Sequence, residues 1–181
     1  SVTSIGDNAF SECISLTQIS ISSKLEKISN YLFSNCSSLQ KIKIPSSVTL
    51  IGCCAFFQCT SLTEIIIPSS VIRIENNAFQ KCNSLVQIKI PSSVTSIGCF
   101  AFYQCSSLTQ VKIPSSITSI EKYTFRLCTS LKKVSIPSSV TSIGTCAFYE
   151  CSSLEHVELP SSLSSIGEDA FAKCPCANNL Y

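Results

Sequence analysis

Thirteen cysteines and a single histidine are the residues of this chain best equipped for chemistry. Thiolates attack electrophiles and hold soft metal ions, and an imidazole acts as a general base near neutral pH. Their spacing argues against each of these uses. Eight cysteines recur every 23 residues, at positions 13, 36, 59, 82, 105, 128, 151 and 174. Equivalent positions of such a repeat stack about 4.8 Å apart, whereas a disulfide needs Cβ atoms about 3.5–4.5 Å apart. Of the other five, Cys53 and Cys99 share a phase two repeats apart, and Cys54 and Cys146 share one four repeats apart; Cys176 stands alone. The reading is of free thiols that pack as small buried hydrophobes. His156 would need a nucleophile and an orienting group to act as a base. The serines fall at repeat positions and the carboxylates are scattered, so His156 reads as a surface residue. No Gly-rich phosphate loop, paired-carboxylate signature or metal-ligand spacing is present. Asn35-Cys36-Ser37 fits a glycosylation sequon, but Cys36 is a ladder position and would bury it. No enzyme and no cofactor are expected.

The cysteines mark one phase of a longer pattern. Its clearest copy runs from Leu39 through Ile42, Ile44, Pro45, Val48, Ile51, Gly52, Ala55 and Phe56 to Cys59, and Leu62 opens the next copy. Phenylalanine recurs in step at positions 10, 33, 56, 79, 102, 125, 148 and 171. A period of this length makes a solenoid, in which each unit buries its apolar face only against its neighbours. The stretch Leu39-x-x-Ile42-x-Ile44 alternates and reads as a short strand, ended by a proline that has no N–H to donate. Ser46-Ser47 follows as a turn whose hydroxyls can satisfy backbone groups. Val48 and Ile51 send two more side chains inward. Gly52 marks a corner where Ser29, Glu75 and Glu121 stand in other copies, so φ > 0 is not required there. Ala55-Phe56-x-x-Cys59 has the spacing of one or two helical turns. The phenylalanines are expected to form a continuous aromatic spine. One α/β domain covering 1–181, of about eight repeats, follows; because Ser1 enters in mid-repeat, it reads as a fragment of a longer array.

Two outward surfaces could carry function. On the strands the outward pairs are Gln18/Ser20, Lys41/Lys43, Glu64/Ile66, Gln87/Lys89, Gln110/Lys112, Lys133/Ser135 and His156/Glu158. Lysine dominates this row, which ends in acidic Glu155 and Glu158. It reads either as a site for an acidic protein or anionic glycan, or as lysine that keeps exposed strands soluble. On the other side, Phe57, Tyr103 and Tyr149 share one phase, and Phe100 and Tyr123 share another. They read either as a contact patch, self-association included, or as cover for neighbouring coils.

The bulk composition excludes some classes. With 45% hydrophobic and only 13% charged residues, and about one residue in five a serine, the chain is not a disordered tail. A net charge of +2 lacks the basic excess that nucleic-acid binding requires. No apolar run is long enough to span a bilayer, so no membrane insertion is expected.

The pattern Leu-x-x-Ile-x-Ile-Pro-Ser-Ser-Val-Thr-Ser-Ile-Gly-x-x-Ala-Phe-x-x-Cys, as in Leu85 to Cys105, resembles the BspA-like class of leucine-rich repeat proteins over nearly the whole chain. Departures are local: Ser22 replaces a proline, Leu32 and Thr124 replace alanine, and the pattern fades after Cys174. The resemblance implies a right-handed coil with a concave parallel sheet and short convex helical turns. It also implies a cell-surface or secreted setting and adhesion to host or partner macromolecules. A structural spacer or self-assembling array is the alternative.

Overall fold

The computed structural model describes residues 2–179. Alternating β-branched residues place two short strands in most coils. In chain order these are β1 (Gln18–Ile19), β2 (Lys27–Ile28), β3 (Lys41–Lys43), β4 (Leu50–Ile51), β5 (Glu64–Ile66), β6 (Arg73–Ile74) and β7 (Gln87–Lys89). They continue with β8 (Ser96–Ile97), β9 (Gln110–Lys112), β10 (Ser119–Ile120), β11 (Lys133–Ser135), β12 (Ser142–Ile143) and β13 (Ser165–Ile166). The larger sheet is parallel and six-stranded, in the order β1-β3-β5-β7-β9-β11. Its register steps by one repeat: Gln18 faces Lys41, Lys41 faces Glu64, and Glu64 faces Gln87. A second wall consists of a four-stranded sheet, β2-β4-β6-β8, and a three-stranded one, β10-β12-β13. The Val48-x-x-Ile51 stretch, expected only to bury two side chains, therefore carries a strand of its own.

The expected helical turns are absent, which corrects the reading of Ala55-Phe56-x-x-Cys59. The only helical segment among the described residues is a 3-10 turn at Pro175–Asn179. In its place each coil runs through overlapping turns, with Ala55 N–H bonded to Gly52 O, Phe57 to Cys54 O and Cys59 to Phe56 O. The alternate groups point along the solenoid: Cys54 N–H donates to Asn76 O, Phe56 to Ala78 O and Gln58 to Gln80 O. Cys54 and Gln58 sit at φ of 53° and 56°. A left-handed residue on each side of the phenylalanine interrupts any helix. It also frees every second N–H for the next coil, so no backbone donor is left without a partner through this stretch.

The core is one continuous apolar cluster. The phenylalanine spine runs from Phe10 to Phe171 with ring centroids 5.1 to 5.6 Å apart and planes within 16° of parallel. Seven of the eight ladder cysteines are buried and none is in a disulfide. Each of those seven thiols lies 2.9 to 3.2 Å from the phenylalanine carbonyl of the preceding coil, as Cys59 does from Phe33 O. That carbonyl already accepts an N–H from its own coil, Cys36 N in this instance. Cysteine is small enough for the core and still offers a donor for the second lone pair. Serine does the same at the corner, where Ser47, Ser70 and Ser93 Oγ donate to Leu25 O, Val48 O and Val71 O. The same rung recurs at Ser116, Ser139 and Ser162, so one serine per coil is held for this purpose. At Gly98 the backbone of the preceding coil comes so near that an added Cβ would lie 2.5 Å from Asn76 N. Close approach, rather than a positive φ, is what glycine provides there.

Candidate functional site

The outward positions of the six-stranded sheet are held by backbone alone. β3, β5, β7, β9 and β11 each show an exposed, buried, exposed pattern, with Ile42, Ile65, Ile88, Val111 and Val134 turned into the core. One outward row is Gln18, Lys41, Glu64, Gln87, Gln110 and Lys133, and a bridge between Lys133 and His156 extends it. The other carries Lys43, Ile66, Lys89, Lys112 and Ser135, with Lys43 facing Ile66 and Ile66 facing Lys89 across the strands. The arrangement thus brings the sequence-predicted residues into two adjacent, in-register lines.

A shallow depression of about 570 Å³ is lined by Gln18, Lys41, Lys43, Glu64, Ile66 and Pro68, among others. Ile66 is 68% exposed, an apolar side chain standing between two lysines. Ser46 and Pro68, which read from sequence only as a turn residue and a strand-ending proline, also help to line the depression, just beyond the strand ends. At the far end His156 Nε2 lies 3.8 Å from Glu158 Oε1, with both side chains largely in solvent. That pair is a surface contact, worth little in stability.

The aromatic residues on the turn-lined side are half-buried, and three of them pack against one another. Phe100 stacks on Tyr123 at 4.6 Å and meets Tyr103 edge-on at 5.8 Å. Phe57 lies under Lys81 Nζ at 5.9 Å, and Tyr149 under Lys173 Nζ at 5.0 Å. Arg126, which the sequence reading passed over, lies among Tyr103, Tyr123 and Tyr149. Its signal was an arginine in the phase that carries tyrosine in the coils before and after it.

Four of the ladder thiols are poor nucleophiles where they sit. Burial raises Cys36 to about 11 and Cys105 to about 12, and pushes Cys82 and Cys128 well up. Each is then a neutral thiol at physiological pH, the form that donates to the phenylalanine carbonyl. Among the described residues no group of three or more His, Cys, Asp or Glu is arranged to hold a metal. No helix of the described residues is long and apolar enough to cross a membrane.

Comparison with known proteins bears on this geometry. A family model described as BspA type leucine rich repeat region matches in six copies, over residues 1–105 and 51–178. A leucine-rich repeat protein from Bacteroides ovatus is 39% identical with a TM-score of 0.93, over 96% of this chain and 45% of that one. A leucine rich cell surface protein from Faecalibacterium prausnitzii is 38% identical with a TM-score of 0.78, over 83% of this chain and 41% of that one. The T. pallidum leucine rich repeat protein is 30% identical with a TM-score of 0.79, over 83% of this chain and 70% of that one. The chain therefore spans under half the length of the first two. No curated protein matches it.

Proposed function

Because the chain belongs to the BspA-type leucine-rich repeat family, we propose that it is a non-catalytic recognition module that binds a partner macromolecule through its six-stranded sheet. Leucine-rich repeat proteins in general mediate protein interaction or adhesion and are binding scaffolds rather than catalysts. The observation that carries the proposal is the pair of in-register outward rows, in which lysine, glutamine and isoleucine vary on an invariant backbone frame. The depression around Ile66 supplies an apolar contact, with Lys41, Lys43 and the carboxylate of Glu64 in its lining and Lys89 opposite Ile66 on the next strand. The complementary ligand is an acidic protein segment or an anionic glycan. A cell-surface or secreted setting belongs to the same proposal, supported by the Faecalibacterium prausnitzii neighbour described as a cell surface protein.

The test is binding of the purified chain to matrix proteins and sulfated glycans at two salt concentrations. A variant with Lys43, Lys89 and Lys112 changed to Glu is run in parallel. Saturable, salt-sensitive binding that the variant loses is the expected result. Equal binding by both proteins would move the site off the sheet.

A further inference from the structure

The two arginines of the chain are held in different ways. Arg73, on β6, places Nη2 3.3 Å from Glu75 Oε1. Arg126 stands in the repeat position that carries Tyr103 one coil earlier and Tyr149 one coil later. Its guanidinium carbon lies over three tyrosine rings, 4.8 Å from the centroid of Tyr149, 5.6 Å from Tyr123 and 5.9 Å from Tyr103. Phe100 braces this cluster through its contacts with Tyr103 and Tyr123. Arg126 Nε is buried with no hydrogen-bond partner. Among the described residues no carboxylate lies within ion-pair distance of the guanidinium, and Glu150 is taken by Lys173 at 3.8 Å.

A guanidinium over aromatic faces keeps its charge while the rings strip water from it. Its donors then remain along the edge of the plane, where the Nη groups are the accessible ones. A carboxylate suits the two Nη groups, which unlike Nε are not buried, because two parallel N–H···O bonds match that edge of the guanidinium. We propose that Arg126, framed by Tyr103, Tyr123 and Tyr149, is a binding site for a carboxylate side chain presented by an acidic protein segment. This site stands apart from the sheet and does not rest on the reading of it.

The experiment is a titration of ¹⁵N-labelled protein with an acidic peptide of alternating Glu and Gly, read at the arginine Nε–H resonances. There are two arginines, so Arg73 serves as the internal reference. The expected result is a saturable shift at Arg126 with Arg73 unmoved. In Arg126→Lys, which keeps the charge but loses the fork, affinity measured by calorimetry drops at least about tenfold. The same titration on the variant carrying Lys43→Glu, Lys89→Glu and Lys112→Glu still moves Arg126, so failure of the sheet reading leaves this site standing. An Arg126 resonance that stays fixed, or moves in step with Arg73, overturns the proposal. So does a larger response to a sulfated disaccharide than to the peptide. Should Arg126→Lys fail to fold, the wild-type resonance titration decides.

Discussion

On the six-stranded sheet Lys41, Lys89 and Lys112 rise from strands whose hydrogen bonds are made by the backbone. On the turn-lined side Tyr103, Tyr123, Arg126 and Tyr149 pack on one another across three coils. None of the five lysines of the sheet rows joins an ion pair among the described residues. By contrast Lys173 is engaged by both Tyr149 and Glu150. Side chains of the sheet are thus uncommitted and can change without touching the frame, whereas those of the turn side are partly structural. A surface that varies freely on a rigid support is the one suited to selecting ligands.

The sharpest way to break this contrast is through the spine beneath both sides. Phe102→Ala empties a fully buried ring site between Phe79 and Phe125 and is expected to cost about 3–5 kcal/mol; a denaturant melt equal to the parent's would remove the spine from the account. Alkali tests the thiol rungs. Cys105 titrates at about 12 in the fold against an ordinary value of 9.0. Unfolding therefore releases its proton from pH 9 upward, and the stability held at lower pH declines as pH rises toward 12. At pH 10 the loss from this one thiol is on the order of 1 kcal/mol, to be read from melts across that range.

On the turn side, Gln104 sits at φ 59°, so Gln104→Gly should raise stability by up to about 1 kcal/mol. An unchanged or lowered midpoint would mean that the side chain does more there than occupy a left-handed position. The smallest effect belongs to the sheet: Lys89→Glu should shift stability by less than about 0.5 kcal/mol. A large loss by the same melt would show that the row is committed after all.

Much of the fold was legible because it repeats. Phe56 and Cys59 could be placed in the core from phase alone, and the Leu39-x-x-Ile42-x-Ile44 alternation gave the sheet that carries the lysines. The turn side was not legible, for a physical reason. A spacing of i, i+1, i+4 fits a helical turn and a run of β-turns equally well. The left-handed positions that distinguish them are filled by Asn8, Tyr31, Cys54, Phe100 and Asp169, which share no chemistry and include no glycine. β4, at two residues, was too short to show alternation. Of the candidate site, the rows were readable from period two, but the depression at Ile66 depends on Ser46 and Pro68 beyond the strand. The phase of Arg126 between Tyr103 and Tyr149 was readable, but its stacking on their rings depends on side-chain direction, which a period does not give.

The rungs that join one coil to the next have a dynamic consequence. The serine links span 22 residues and the thiol links 26, so every loop closed on folding is short and nearly the same size. The entropy of closure is then spread evenly along the chain, and no distant pairing has to wait for another. Order can nucleate in any pair of adjacent coils and propagate outward in both directions. Loss of order spreads in the same way, one coil at a time from any coil that lacks a neighbour.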